Sequence, residues 1–224
     1  FMIVDDTLPD VPNVLSVLFK NYEGSFLAGA LAASYSKTGS VGFIGGQDNP
    51  LIQGFEGGFV QGAKHINKDI KFQASYVGDF RDTAKAKEFA KVMYSKGADV
   101  LFAAAGRAGA GMIDAAKEAK KFAVGVDSDQ DYLAPENMIG SMLKRVDNAV
   151  FSAIKDLTDD KLETGKTLIL GAKEGGVGLC LETDPIAQKL VSKDIRDKML
   201  AIEKDIKDGK IKIDDWQVTG RPKQ

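Results

Sequence analysis

Apolar and polar positions along the chain form two kinds of segment: short runs that are almost continuously apolar, and longer stretches with helical spacing. The apolar runs are typical of buried strands and cover residues 13–19, 40–46, 71–78, 98–106 and 122–129. Amphipathic helices are predicted between them, over 23–36, from Pro50 to 66, over 82–97 and over 110–121. Because the runs are apolar throughout rather than alternating, helices should cover both faces of the sheet. This pattern predicts a parallel, doubly wound α/β sheet.

The pattern changes after residue 129. A strand is predicted over 139–145, a helix over 146–162, and a strand that runs into a glycine-rich segment over 167–182. The stretch 185–213 predicts one or two charged helices. The tail "DDWQVTGRPKQ" is expected to be irregular and frayed, with Trp216 anchoring it by packing.

Two carboxylates one residue apart stand at the end of the run "FAVGVDSDQ". If the chain stays extended through them, strand alternation places Asp127 and Asp129 on the same side. Such a pair can bind a metal, act as an acid/base pair, or accept hydrogen bonds from a hydroxylated ligand. No metal site is predicted, because no further oxygen ligands stand at the spacing of a calcium loop.

Three other segments also end predicted strands with glycines or acids: "FIGGQDN", "SYVGDFRD" and "FAAAGRAGAG". Ligands of open parallel sheets bind beyond the carboxyl ends of the strands, so these segments predict a crevice. Phe80 either packs beneath a loop or offers a flat surface on which a sugar or base stacks. Gly106 indicates a tight turn open to close approach, although the G-x-G-x-x-G order of dinucleotide-binding turns is absent. Lys173, in "GAKEGG", faces either a ligand or solvent.

Composition narrows the classes of function. A net charge of −2 over 224 residues gives no electrostatic case for nucleic acid or an anionic membrane. No run approaches the roughly 18 apolar residues of a transmembrane helix. The single cysteine, Cys180, excludes an internal disulfide or a Cys-rich metal cluster and is expected to be buried and inert. Because His65 is the one histidine, the sequence gives little support for zinc chemistry or for Ser-His-Asp catalysis. No catalytic residue is predicted.

Several long segments together carry a resemblance to a known family: "EGSFLAGALAASYSKTGSVGFIGGQDNPLIQGFEGGFVQGAK", "ADVLFAAAGRAGAG", "GVDSDQ", "SMLKRVDNAV" and "KEGGVG". They closely resemble the basic membrane protein family, whose members include the purine nucleoside-binding lipoproteins of bacterial ABC transporters. The resemblance covers nearly all of residues 1–213. It implies a type I periplasmic-binding-protein-like fold, in which two α/β lobes with parallel sheets flanked by helices close on a nucleoside at a hinge.

The resemblance also implies how the chain divides. Family members carry a further segment upstream, with a lipoprotein signal, a lipidated cysteine and most of the first lobe. Residues 1–20 and 145–170 are therefore expected to be remnants of an incomplete first lobe, and residues 21–144 and 171–224 to form a complete second lobe. On this view the chain is N-terminally truncated, and its attachment to the membrane depends on an upstream lipid anchor that is absent here.

The family's nucleoside site implies roles for five residues. Asp127, and after it Asp129, would accept hydrogen bonds from ribose hydroxyls. Lys173 would donate to the same hydroxyls or steady the carboxylate, Phe80 would stack on the base, and Gly106 would allow close backbone approach. The implied protein is an extracytoplasmic solute-binding protein at the cell membrane that passes purine nucleosides to an ABC permease, without catalysis, cofactor or metal.

Two other functions remain open. Some proteins of this fold are cytosolic ligand-sensing regulators, and an enzyme that processes nucleosides, such as a hydrolase or dehydrogenase, is a further alternative. Three features weigh against an enzyme: the single histidine, the lack of a nucleophile motif, and glycines that do not follow the G-x-G-x-x-G order.

Overall fold

The structure is a computed structural model that describes residues 1–8 and 10–222. One sheet consists of β1 (Met2–Val4), β2 (Leu15–Phe19) and β8 (Lys166–Leu170), which are parallel and lie in the order β1-β2-β8. The second sheet consists of β3 (Ser40–Gly45), β4 (Lys71–Tyr76), β5 (Val100–Ala104), β6 (Phe122–Gly125), β7 (Met138–Lys144) and β9 (Val177–Leu179). Its order is β4-β3-β5-β6-β7-β9, and β9 alone runs antiparallel to its neighbour, β7.

The helices surround these sheets: α1 (Asn21–Tyr35), α2 (Pro50–Ile66), α3 (Thr83–Ser95), α4 (Gly109–Ala119), α5 (Val146–Thr158), α6 (Pro185–Leu190), α7 (Lys193–Lys207) and α8 (Trp216–Thr219). Single 3₁₀ turns at Gly106–Ala108 and Asp131–Leu133 follow β5 and β6. Among the helices of the described residues, none is both long enough and apolar enough to span a bilayer.

The central strands β3 and β5 are buried on both faces, as the pattern predicts, whereas β4, predicted to be buried as well, is an edge strand and half-exposed along its length. Every residue of β3 and β5 is buried. Successive side chains point to opposite faces, so Phe43 and Phe102 pack in one apolar cluster, while Ile44 and Leu101 pack in the other. The first cluster includes residues of α1 and α2, and the second includes residues of α3 and α4. The predicted parallel α/β sheet is confirmed.

Helices α1 and α2 lie unusually close because glycines replace side chains at their contact. A Cβ atom at Gly29 would collide with the backbone oxygen of Phe59, and one at Gly62 would collide with the backbone oxygen of Phe26. The helices thus pack backbone against backbone, which explains why α1 and α2 are rich in glycine and alanine. This contact sets the position of α2, whose first turns border the candidate site described below.

Side-chain caps begin two of the predicted helices where the sequence indicates. The Asn49 side chain accepts a hydrogen bond from Ile52 N at 3.0 Å, directly before Pro50 in the first turn of α2. Asp82 caps α3 in the same manner by accepting from Lys85 N at 2.9 Å. Gly97, with φ +99°, follows α3 and permits the left-handed turn that ends it.

The C-terminal tail differs from the prediction of a frayed segment. Residues 216–219 form α8, capped by the Asp215 side chain, which accepts from Gln217 N at 2.9 Å. The Trp216 ring packs on Gly57 of α2, so the predicted anchoring by this residue is confirmed. Arg221 then donates to the buried Glu56 carboxylate at 2.9 Å. The last two residues of the predicted tail, 223 and 224, lie outside the described residues.

The strands sort into the two sheets along the ranges predicted for the two lobes. Strands β1, β2 and β8 fall within 1–20 and 145–170, while the six strands of the larger sheet fall within 21–144 and 171–224. Beside the smaller sheet, α5 exposes apolar side chains, among them Phe151. The division into an incomplete and a complete lobe stays a prediction.

Candidate ligand-binding site

The carboxyl ends of strands from both sheets border one cavity of about 150 Å³. The turns after β1, β5 and β6, the end of β7 and the start of α2 all contribute to its wall. The lining residues are Asp5, Leu51, Ile52, Phe55, Phe80, Ala104, Gly106, Val126, Asp127 and Lys144. Three of the five residues predicted from the sequence, Asp127, Phe80 and Gly106, therefore meet at this cavity. A crevice at the strand ends is where open parallel sheets bind ligands.

Asp127 lies in a turn rather than in an extended strand. Strand β6 ends at Gly125, and Asp127 has φ +66°, in the left-handed region that non-glycine residues seldom adopt. The extended conformation on which the strand alternation of Asp127 and Asp129 depends is therefore wrong, although both residues line the neighbouring cavity described below. The backbone oxygen of Asp127 accepts a hydrogen bond from Lys144 N at 2.9 Å, which holds the turn against β7.

The surroundings of Asp127 raise the pKa of its carboxyl above the usual value of an aspartate. The side chain keeps access to solvent, but the walls of the cavity displace much of its hydration. This desolvation raises the pKa of the Asp127 carboxyl, the Lys144 ammonium opposes the shift, and the Asp5 carboxylate adds to it. A carboxylate held in this way benefits from hydrogen-bond donors that a ligand brings.

Asp5 and Lys144 are site residues that the sequence interpretation missed. The Lys144 ammonium donates to Asp5 Oδ2 and lies 5.3 Å from the centre of the Phe19 ring, and its side chain is only 8% exposed. The other carboxylate oxygen of Asp5, Oδ1, is buried without a hydrogen-bond partner among the described residues. Asp5 has φ +66°, as Asp127 does, and strained backbone of this kind gathers at functional sites. The sequence offered one signal for this residue, because Asp5 directly follows a strand in "MIVDD".

Phe80 packs against the backbone on one side of its loop. Its half-buried ring covers Gly46, where an added Cβ atom would collide with the ring. Its backbone oxygen accepts from Ala108 N at 3.0 Å and lies beside Gly106, which has φ +55°. Both interpretations of Phe80 are therefore compatible with the structure, since the ring packs on a loop and also lines the cavity. The close approach expected at Gly106 is made, at least in part, by Phe80 itself.

Asp129 and Lys173 are not among the residues that line this cavity. Asp129 lines a neighbouring cavity of about 530 Å³, which shares Asp127 and Lys144 with the first. Its Oδ1 atom accepts from Asp131 N at 3.0 Å and so caps the local turn. Lys173 is exposed and lines a third cavity of about 540 Å³, together with Lys20 and residues 206–209 and 211–213.

The first cavity combines a few charged groups with an apolar side, an arrangement typical of small-molecule binding sites. The described residues that line the first cavity supply two carboxylates, one ammonium group and an apolar side formed by Leu51, Ile52 and two phenylalanines. Serine, cysteine and histidine are absent from this lining, so it holds no nucleophile paired with an imidazole base. Cys180 is buried elsewhere, as expected.

Comparison with known proteins identifies the family of the chain. A family model described as "ABC transporter substrate-binding protein PnrA-like" (Bmp) matches residues 1–213. Basic membrane protein D of Borreliella burgdorferi is 41% identical over 213 residues, which cover 94% of this chain and 62% of that protein. The "ABC transporter nucleoside-binding protein BmpA" of Lactococcus lactis is 36% identical over 230 residues, covering 95% of this chain and 64% of that protein. The chain thus spans less than two thirds of the length of either relative.

A solved structure supports the fold. The ABC transporter solute-binding protein of Aeropyrum pernix superposes with a TM-score of 0.84 at 29% identity, over 96% of this chain and 70% of that one. The predicted α/β fold of the type I periplasmic-binding-protein kind is confirmed. The chain belongs to the Bmp family of PnrA-like ABC transporter substrate-binding proteins, a family of binding proteins rather than enzymes.

Proposed function

We propose that this chain is the nucleoside-binding part of a solute-binding protein that serves an ABC importer. One observation carries the proposal: the carboxylate of Asp127 and the aromatic ring of Phe80 line the same cavity, at the carboxyl ends of parallel strands. A nucleoside presents the two matching chemistries, a vicinal diol and a flat base. The name of the Lactococcus lactis relative supports the same ligand class.

Asp127 is the proposed ribose ligand. An ionised carboxylate can accept a hydrogen bond at each of its two oxygens at the same time, which matches the 2′ and 3′ hydroxyl groups of ribose. Hydrogen bonds to a charged group contribute about 1.5–3 kcal/mol each. Asp129 is the second candidate, but its Oδ1 atom already caps a turn. A role for Lys173 at the ribose stays a prediction, because Lys173 lines a different cavity.

The base is proposed to stack on Phe80 and to lie against the apolar side formed by Leu51, Ile52 and Phe55. Stacking alone does not select among bases, since every base has a π face. The buried Oδ1 atom of Asp5, which has no donor among the described residues, could accept from an N–H group of a purine. The neighbouring cavity of about 530 Å³ leaves space for the remainder of the ligand.

The charge of the cavity favours an uncharged nucleoside over a nucleotide. Its lining contains the carboxylates of Asp5 and Asp127 and the ammonium group of Lys144, which is already paired with Asp5. A phosphate group would meet an excess of negative charge there. We therefore expect nucleosides to bind more tightly than their monophosphates.

The setting of the function follows from the family. We propose that the complete protein works at the extracytoplasmic face of the cell membrane, held there by a lipid anchor, and delivers its nucleoside to an ABC permease. Support comes from the substrate-binding family to which the chain belongs.

Calorimetric titration with adenosine, inosine, uridine, ribose and adenosine monophosphate tests the ligand class. We expect one purine nucleoside per chain, weaker binding of uridine, and little binding of ribose or the monophosphate. Chromatography of the ligand after incubation should return it intact. Tighter binding of the monophosphate, or no nucleoside binding by a folded chain that also carries the additional length of its relatives, would contradict the proposal.

A further inference from the structure

A second group of functional side chains lies outside the cavity that Asp127 and Phe80 share. Asp129 and Asp131 come from the loop after β6, Cys180 follows β9, and Asp184 precedes α6. One oxygen or sulfur atom from each of these four residues lies within 4.8 Å of all the others. Asp131, Cys180 and Asp184 are buried, whereas Asp129 is exposed at the edge of the group.

Asp131 presents an oxygen that the described residues leave without a partner. The residue is 0% exposed, and its Oδ1 atom accepts from Ser141 Oγ at 2.6 Å. Its Oδ2 atom is buried and has no hydrogen-bond donor among the described residues. Buried polar atoms are nearly always satisfied by protein, water or an ion, so this oxygen indicates a missing partner.

The other two buried members have lone pairs available to the same partner. Asp184 accepts one backbone hydrogen bond at each oxygen, from Ile186 N at 3.0 Å and from Ala187 N at 2.9 Å, which fixes the carboxylate and leaves one lone pair on each oxygen. The Cys180 sulfur accepts from Ser141 N at 3.0 Å, so it behaves as an acceptor in this environment. These backbone contacts orient potential ligands in the way that outer hydrogen bonds orient metal ligands.

The carboxylates of this group have no ion-pair partner among residues 1–8 and 10–222. Among the ion pairs of the described residues, none includes Asp129, Asp131 or Asp184. Two buried carboxylates in contact are costly when both are ionised, unless a cation or a shared proton compensates them. Carboxylate oxygens together with a thiolate sulfur are a ligand set that zinc accepts, whereas magnesium and calcium avoid sulfur.

We propose that Asp131, Asp184 and Cys180, completed by Asp129 at the solvent side, form a binding site for a divalent cation of the zinc class. Ligand atoms of a tetrahedral zinc ion with bonds of about 2.0–2.3 Å stand roughly 3.3–3.8 Å apart. The group, within its limit of 4.8 Å, reaches that spacing when its side chains move inward by about 1 Å. Sequence alone could not reveal the site, because its ligands come from segments separated by about 50 residues.

The site would tie the loop after β6 directly to the segment that carries Cys180 and Asp184. The loop after β6 that carries Asp131 also carries Asp127, four residues earlier, so a bound cation would stiffen one wall of the nucleoside cavity. The alternative compensation is a proton held between Asp131 and Asp184.

Titration of the chelator-treated protein with Zn²⁺ and Co²⁺ tests the site. We expect one Zn²⁺ per chain, a higher melting temperature with Zn²⁺ than with Mg²⁺, and a near-ultraviolet charge-transfer band for Co²⁺ bound to a thiolate. Asp131→Asn and Asp184→Asn should each weaken Zn²⁺ binding at least about tenfold, and the latter keeps an oxygen that caps α6. Cys180→Ser should abolish the charge-transfer band while preserving an acceptor for Ser141 N.

Glu182→Gln is the matched control, because Glu182 lies two residues from both Cys180 and Asp184 but pairs with Arg196 instead. This variant should bind Zn²⁺ as the parent chain does. The proposal is overturned if the folded parent chain binds no stoichiometric Zn²⁺, or if Glu182→Gln weakens binding as much as Asp131→Asn. The proposal is also overturned if Asp131→Asn is more stable than the parent chain and Zn²⁺ leaves the melting temperatures of both proteins unchanged. In that case a proton shared between Asp131 and Asp184 accounts for the neutralisation of the carboxylates. Should Asp131→Asn fail to fold, Cys180→Ser still decides through the charge-transfer band.

Discussion

The ammonium group of Lys144 donates a hydrogen bond to the carboxylate of Asp5, across 139 residues of chain. Asp5 follows the edge strand of the three-stranded sheet, and Lys144 ends β7 of the six-stranded sheet. The pair therefore links the two sheets at the cavity that both of them border. Its geometry places one fixed charge pair beside the more exposed carboxylate of Asp127.

Breaking this pair should destabilise the protein. Removing one partner of a buried ion pair costs about 3–5 kcal/mol, and because Asp5 is 26% exposed we expect about 2–3 kcal/mol for Lys144→Met or Asp5→Asn. Urea unfolding of both single variants and the double variant should give a coupling energy of about 1–3 kcal/mol. If the stability losses of the two single variants sum to the loss of the double variant, Asp5 and Lys144 do not interact directly.

Asp127→Asn should weaken nucleoside binding by about 1.5–3 kcal/mol, since it replaces a charged acceptor. Asparagine also tolerates the left-handed backbone of this position, so the turn is kept. The 2′,3′-dideoxy nucleoside and the free base should be almost unaffected, because neither presents the diol. Calorimetry with all three ligands makes the comparison. Asp160→Asn is the control, since Asp160 also has a left-handed backbone but lies in an exposed loop after α5. Equal losses for the three ligands would refute the ribose assignment.

Acidification should weaken nucleoside binding by protonating Asp127. Its pKa is raised chiefly by desolvation, with Lys144 opposing and Asp5 adding to the shift, so the loss should begin at a higher pH than for an ordinary aspartate. The dissociation constant measured from neutral to acid pH should rise for the parent chain and stay nearly flat for Asp127→Asn. Parallel curves for the two proteins would assign the dependence to another group.

The same shift predicts a gain in stability for Asp127→Asn. A carboxyl with a raised folded-state pKa stabilises the fold below its unfolded pKa, and this contribution is lost as the pH rises through the folded-state value. Asparagine resembles the protonated form, so the variant should melt at a higher temperature than the parent chain near neutral pH. In acid the two should melt together. A melting temperature for the variant that is lower at neutral pH would show that the ionised carboxylate supports the fold.

Phe80→Ala should weaken binding of the base and of the nucleoside alike, by about 1–3 kcal/mol, through lost stacking. Phe89→Ala serves as the control, because Phe89 is another half-buried phenylalanine and packs against the opposite apolar cluster. Calorimetry at a temperature at which both variants stay folded separates a loss of stacking from a loss of stability. If both variants lose affinity equally, Phe80 acts through stability and not through stacking.

Arg221→Ala should destabilise the docking of the tail. Arg221 donates to Glu56 and to the Tyr76 hydroxyl at 2.6 Å, and the Glu56 side chain is only 5% exposed. Leaving Glu56 without its cation should cost about 2–3 kcal/mol, because the carboxylate keeps its hydrogen bond from Tyr76. Lys193→Ala, which breaks an exposed ion pair with Asp197, should cost less than about 1 kcal/mol in the same denaturation experiment. Equal costs would show that burial does not distinguish these pairs.

The sequence by itself determined the parallel sheet, most element boundaries and the edge of the sheet at which we propose that a ligand binds. Continuous apolar runs specify buried strands, because a strand covered on both faces needs apolar side chains at every position. Caps such as Asp82 and Asn49 are equally local, since each side chain accepts from a backbone N–H group three residues along the chain and needs no information from the remainder of it. Asp127, Phe80 and Gly106 could be proposed together because parallel strands bring their carboxyl ends to one edge.

Tertiary structure alone decided which distant side chains meet. The pairing of Asp5 with Lys144, the docking of Arg221 on Glu56 and the grouping of Asp131 with Cys180 and Asp184 each join segments far apart in sequence. Short-range patterns record only whether a residue is buried and which local conformation it favours. A single left-handed residue, Asp127, was enough to break the alternation expected of Asp129, and the antiparallel strand β9 carries no apolar period long enough to be recognised. Loop contacts of this kind depend on how whole sheets and helices pack. A short stretch of neighbouring residues carries no information about that packing.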